Sequence, residues 1–207
     1  MSKKLLILLF LASSATFGQT SMMKKANENL ETITLAGGCY WCVEAVYEQL
    51  DGVVSAVSGF AGGKMANPSY DEVSTGATGY AESVQVTYDK TKTNLDEIFK
   101  VFFTVHDPTT LNRQGADVGT QYRSAIFYKN ETQKKAAQSI IAALTKANAY
   151  GKPIVTTLEP LTKFYKAEDY HQDYYRNNKD QPYCQMVIQP KMEKFEKVFK
   201  DRLKKKK

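Results

Sequence analysis

Three groups of side chains in this chain can do chemistry. The first is a pair of thiols, Cys39 and Cys42, inside Gly37-Gly38-Cys39-Tyr40-Trp41-Cys42. The second is a set of acids and phenols placed at or beside loops: Tyr70, Glu82, Asp117 and Tyr122. The third is a lone thiol, Cys184, in Pro182-Tyr183-Cys184-Gln185. A thiol acts as its anion, so the surroundings of Cys39 matter first. Alternating residues precede it (Thr32–Ala36) and helically spaced residues follow it (Val43–Leu50). Cys39 therefore stands at a glycine-loosened strand-to-helix junction, where unpaired N–H groups and the helix dipole favour negative charge. The expectation is a lowered thiol pKa. A cysteine packed only as a small hydrophobe needs neither the glycines nor a second sulfur. Cys42 lies one helical turn on, with Cα atoms about 5 Å apart, inside the disulfide window. Spacing alone leaves open whether it faces Cys39 or the core.

Taken singly, the second group is unremarkable. An acid at a strand end, such as Glu82, is usually solvated. Asp117, in Gly115-Ala116-Asp117-Val118-Gly119, reads as a turn former. Tyr70 and Tyr122 read as half-buried core aromatics. Loops near strand ends are nevertheless where function collects.

The elements that must position these groups alternate between strand and helix. Val53–Phe60 reads as a strand and Tyr70–Ser74 as a short helical turn after a Gly- and Pro-containing loop. Glu82–Tyr88 alternates, with Val84, Val86 and Tyr88 on one face. Asn94 caps a helix through Phe103, and residues 107–121 form a loop. Ser124–Tyr128 is a strand, Glu131–Ala149 a long helix ending at Gly151, and Ile154–Leu158 a strand. Ala167–Arg176 reads as an aromatic-rich helix. The rhythm is not that of a doubly wound sheet. One α+β domain with helices packed on a mixed sheet is expected.

The 207 residues and 43% apolar content suit one domain with a real core. Three cysteines are too few for a disulfide-dense scaffold. Two histidines and no paired CxxC leave little material for a metal site, and none is expected. The net charge of +6 belongs to the end of the chain: residues 191–207 hold nine Lys/Arg against three Asp/Glu. Met192, Phe195, Val198, Phe199 and Leu203 are spaced there as one helical face, so a docked helix with a solvated lysine end is expected. No motif supports nucleic-acid readout. At the other end, Lys3-Lys4, the apolar run Leu5–Ala12 and small residues to Gly18 have the order of an export signal. The expected organisation is a signal peptide at 1–18, a linker at 19–30, a catalytic domain at 31–190 and a basic helix or tail at 191–207. The expected location is periplasmic or otherwise extracytoplasmic, with no stable membrane insertion after the signal is removed.

The longer motifs say more together. GGCYWCVEA at 37–45, GFAGG at 59–63, NPSYDEV at 67–73 and TGYAE at 78–82 occur in order. HDPTTLNRQGADVGTQYRSAIFY at 106–128, FYKAEDYHQDYY at 164–175 and PYCQMVI at 182–188 follow. The chain resembles the A-type peptide methionine sulfoxide reductases over almost all of residues 30–190. The resemblance implies a two-layer sandwich, a mixed sheet flanked by helices with a ferredoxin-like core. It implies an oxidoreductase that returns the S epimer of methionine sulfoxide, free or in oxidised proteins, to methionine as repair after oxidative stress. No metal or organic cofactor is implied; electrons would come from a thioredoxin-like protein or a dithiol. By resemblance Cys39 is the nucleophile, Glu82 the acid that protonates the sulfoxide oxygen, and Tyr70 and Tyr122 donors to that oxygen. Glu82 would then need a raised pKa from burial beside aromatics. Tyr40 and Trp41 would wall the methyl pocket, and Asp117 would position the polar side of the substrate. The sulfenic acid left on Cys39 needs a resolving thiol. Cys184 matches the recycling cysteine of many relatives, on a segment expected to be mobile, and is favoured as first resolver; Cys42 is the contender or a second relay. Tyr40 stands where the family commonly has Phe, and Tyr80 where it often has His. A monomer is expected.

Two other classes share parts of this pattern. A thioredoxin-like thiol–disulfide oxidoreductase also places CxxC between strand and helix, and Lys152-Pro153-Ile154 could imitate its proline loop. That reading leaves Glu82 and Asp117 idle. A zinc-stabilised module would use Cys39, Cys42, Cys184 and His106 or His171.

Overall fold

The computed structural model describes residues 28–205. The expected export signal, most of the linker and the last two lysines lie outside these residues. Described in chain order, the elements are β1 (Leu30–Gly37), α1 (Tyr40–Gln49), β2 (Val53–Ala61), α2 (Tyr70–Ser74), β3 (Ala81–Asp89) and α3 (Leu95–Val105). There follow β4 (Arg113–Gln114), β5 (Asp117–Val118), β6 (Ser124–Tyr128), α4 (Glu131–Lys146), β7 (Thr157–Pro160), β8 (Phe164–Lys166), α5 (Tyr174–Asn177) and α6 (Gln189–Val198).

The main sheet has the order β7-β6-β1-β3-β2-β8. Its inner four strands, β6-β1-β3-β2, pair antiparallel throughout. Helix α1 links β1 to β2, and α3 links β3 to β6, which is the ferredoxin-like β-α-β-β-α-β arrangement. Parallel pairing of β7 with β6 makes the sheet mixed. Alternation along the strands sends Leu35, Val84 and Val86 to the helix-covered face and Ala36, Ala61, Ala81 and Ala125 to the other. Leu161 and Phe164 cover that second, small-residue face.

Local chemistry sets the helix bounds. Asn94 caps α3 by accepting from the Glu97 N–H at 3.0 Å. Ser69 and Glu72 form a capping box on α2. Helix α3 buries Ile98, Phe99, Phe102 and Phe103 against the sheet and α1. Fully buried aromatics of this kind lose about 3–5 kcal/mol on truncation to alanine.

Four expectations change. Residues 167–176 are not one helix: a 3₁₀ turn at Asp169–His171 is broken from α5 by Asp173, whose φ is 53°. The strand expected at Ile154–Leu158 is shifted to Thr157–Pro160, where it pairs with β6. Cys184 does not lie on a loose terminal strand of chain. It sits in a π-helical turn, Cys184–Ile188, that runs directly into α6 and has no solvent exposure. Met192 and Phe195 of α6 are buried as expected, but Val198 is 54% exposed and Leu203 instead bridges back to Leu50.

Candidate active site

The site is built where β1 turns into α1. Gly38 has φ 89°, and a Cβ there would lie 2.5 Å from Gln114 Cγ, so only glycine fits the turn. Cys39 follows as the residue that opens α1, buried at 5% exposure. Glu82 heads the inward-facing row of β3 that continues through Val84, Val86 and Tyr88, so the pleat aims its carboxyl at the same junction. The Tyr40 N–H, one of the unpaired amides of the helix start, donates to Glu82 Oε2 at 3.1 Å. That bond favours the carboxylate, but burial outweighs it, with the charges of Asp117 and Cys42 adding. The carboxyl is pushed up to about 8 and holds its proton at neutral pH.

The thiols behave differently from the sequence-based expectation. Burial pushes Cys39 well above the usual thiol range; its contact with Cys42 and the charge of Glu82 push the same way, and only Tyr183 opposes them. The helix start does not compensate, because Cys39 makes no side-chain cap bond and the Tyr40 amide is taken by Glu82. Cys42 is the thiol brought down, to about 7, by its bond with Cys39 and by the Lys191 ammonium. Cys42 sits one turn on, its N–H donating to the Cys39 carbonyl at 3.1 Å, and the ionisation of each thiol depends on the other. Cys184 carries an electrostatic contact with Cys42, and burial pushes it up.

Aromatic rings enclose the junction. Trp41 stacks on Tyr174 with centroids 3.7 Å apart and 7° between planes, and its indole N–H donates to His171 Nδ1 at 3.2 Å. Tyr40 is 1% exposed and packs on Phe60 and His171. Tyr70, at the start of α2, packs on His171. Tyr70 and Tyr122 are half-buried, and both feel the charges of Glu82 and Cys39, which raise them above the ordinary phenol value after burial has done so first. Asp117 accepts from the Tyr183 hydroxyl at 2.8 Å, and burial, helped by Cys39 and Cys42, pushes that hydroxyl well above the ordinary phenol value.

The structure therefore brings together Cys39, Cys42, Glu82, Tyr40, Trp41, Tyr70, Tyr122 and Asp117. Cys184, fully buried in the turn before α6, is near enough to Cys42 to feel its charge. Sequence reasoning missed Tyr183, Tyr174 and Lys191, and weighed His171 only as a zinc ligand. Tyr183 had a signal, its place beside Cys184 in a motif; the others depend on where the chain beyond residue 160 crosses α1. Neither histidine faces the thiols as a ligand would. His106 Nδ1 meets Phe102 O at 2.6 Å and its Nε2 meets Ser124 Oγ at 2.8 Å, while His171 holds Trp41. Among the described residues no three His, Cys, Asp or Glu side chains gather closely enough to hold a metal ion.

A buried thiol beside a protonated carboxyl, ringed by aromatics, with a second thiol in reach, suits reduction of a polar, electrophilic sulfur. Comparison with known proteins agrees. A family model described as peptide methionine sulfoxide reductase matches residues 31–203. The chain belongs to this family. The peptide methionine sulfoxide reductase MsrA 1 of Rhodopirellula baltica is 53% identical over 180 residues, covering 87% of this chain and 93% of that one. The MsrA of Saccharolobus solfataricus is 52% identical, covering 84% and 98%. Among solved structures, methionine sulfoxide reductase A of Corynebacterium diphtheriae superposes with TM-score 0.69 at 39% identity, covering 72% of this chain and 76% of that one. Mxr1 from Saccharomyces cerevisiae in its reduced form gives 0.68 at 36%, covering 76% and 90%.

Proposed function

We propose that this chain reduces the S epimer of methionine sulfoxide, in oxidised proteins or free, and is recycled by a thioredoxin-like protein or a dithiol. The observation that carries the reading is the Glu82 carboxyl, held protonated by burial and tied to the helix start that presents Cys39. The Cys39 sulfur attacks the sulfoxide sulfur while Glu82 gives its proton to the oxygen. The hydroxyl then passes from the substrate sulfur to the Cys39 sulfur as the sulfur–sulfur bond formed by the attack breaks, so the thioether leaves and Cys39 is left as a sulfenic acid. The Cys39 proton returns to Glu82, so the step neither consumes nor releases one. Tyr70 and Tyr122 donate to the oxygen as it gains charge, each worth roughly a hundredfold or more where water is excluded. Trp41, stiffened by Tyr174 and His171, and Tyr40 wall the methyl pocket. Asp117 acts by holding Tyr183 in place.

The position of Cys42 against Cys39 supports it as first resolver, with Cys184 receiving the disulfide from Cys42. This reverses the order expected from the sequence, where Cys184 came first. The thioredoxin-like alternative gives Glu82, Tyr70 and Tyr122 nothing to do. Export by residues 1–18 remains part of the reading and rests on their composition alone. Turnover of separate S and R sulfoxides with dithiothreitol tests the whole: S alone is reduced, and Cys39→Ser abolishes it. Equal rates on both epimers, or an active Cys39→Ser, refute the reading.

A further inference from the structure

Lys191 opens the basic segment at the end of the chain and lies in the first turn of α6. Its ammonium donates to Cys42 Sγ at 3.4 Å, crossing onto the helix that carries the thiol. The placement is specific to this lysine. Lys194, a turn later, is committed to the Thr104 carbonyl at 2.7 Å. Burial of Met192 and Phe195 anchors α6 and so fixes where the Lys191 side chain starts. Its flank lines a solvent-open cavity of about 450 Å³ shared with His106, Asp107, Gln114 and Lys152.

We propose that Lys191 is the counter-ion that makes Cys42 the resolving nucleophile. The proposal rests on the reading that Cys42 closes the first disulfide. The groups facing Cys42 are Cys39 on its own helix, Glu82 on β3, Asp117 on β5, Tyr183 and Cys184 before α6, and Lys191. Glu82 holds its proton at neutral pH and adds no charge there, while burial opposes ionisation of Cys42, as does Asp117. Lys191 and the Cys39 bond favour it, and hold the charge on Cys42. His106, across the cavity, is pushed down to about 4 by burial and adds no charge near neutrality. In the step, the electron pair of the Cys42 thiolate forms the S–S bond to Cys39. The S–O bond of the sulfenic acid breaks, and the oxygen leaves as water after taking one solvent proton. Lys191 loses its anion when the disulfide closes.

The test uses the full chain. Thiolate absorbance of Cys42 is titrated in a Cys39→Ser, Cys184→Ser background, with Lys191, Lys191→Met, Lys191→Gln or Lys191→Arg. An opposite charge at this range moves a pKa by roughly 1–3 units. Met and Gln should therefore raise the midpoint by at least about one unit, and Arg should restore it. With all three cysteines present, Lys191→Met should slow disulfide closure at pH 7 by roughly threefold to tenfold, because a more basic sulfur offsets part of the lost thiolate. The deficit should vanish above the shifted midpoint. An unmoved midpoint in both neutral variants, or a deficit independent of pH, overturns the proposal. A moved midpoint with peptide mapping that finds only a Cys39–Cys184 bridge overturns the Cys42 reading beneath it and leaves the ion pair standing alone.

Discussion

Replacing Glu82 with glutamine should harm the reaction and relieve the fold, with both effects following from one buried proton. A carboxyl titrating at about 8 is roughly nine-tenths protonated at pH 7, against well under a hundredth for its ordinary value of 4.5. Glutamine keeps an acceptor for the Tyr40 N–H but has no proton to give. Loss of a positioned acid costs roughly 10²–10⁴-fold in rate, which corresponds to about 3–5 kcal/mol of barrier. The stability effect has the opposite sign. Glu82 is raised on folding, so its contribution is complete below about 4.5 and is lost as pH rises through about 8. Between those limits the native state must take up a proton that the unfolded chain does not bind. Each pH unit in that window costs the wild type about 1.4 kcal/mol that the variant does not feel. At pH 7 this is a little over about 3 kcal/mol, reduced by about 1–2 kcal/mol for burying the new amide N–H groups. Parallel denaturant titrations at pH 5, 6, 7 and 8 measure the difference without needing its absolute value. A variant whose stability tracks the wild type in parallel across this range, or whose turnover stays within about threefold, would show that Glu82 is not the buried acid described here.

The remaining predictions are simpler. Cys184→Ser should still form a Cys39–Cys42 bridge and turn over with dithiothreitol, whereas Cys42→Ser should make one stoichiometric reduction and accumulate sulfenic acid, read by trapping and mass spectrometry; a normal burst followed by normal turnover in Cys42→Ser would contradict the assigned order. Tyr183→Phe removes the hydroxyl that donates to Asp117, and kcat/KM should fall by roughly threefold to tenfold, the worth of about one such bond. The buried Tyr40 hydroxyl has no partner among the described residues, so Tyr40→Phe should raise the thermal midpoint by about 2–4 °C; a lower midpoint would mean that the hydroxyl is satisfied by solvent.

Much of this protein was legible from local sequence. The glycines, the thiol and the apolar spacing after it identify the junction at residues 37–50, because a strand, a positive-φ turn and a helix start are each decided within a few residues. The caps at Ser69 and Asn94 and the alternation in β3 are local in the same way. Segments with weaker local signals were misread: Asp173 interrupts an aromatic-rich stretch whose spacing looks helical, and the pairing with β6 decides where β7 lies. The ionisation of the site was out of reach of any window. The Glu82 bond spans 42 residues and the Lys191 bond 149, and both depend on which side chains the packed layers bury together. A helix start by itself favours a Cys39 anion, but desolvation grows with every layer placed over the thiol and is settled only when the chain closes on itself. The sequence therefore determines which atoms can react, and the tertiary structure decides which of them hold protons.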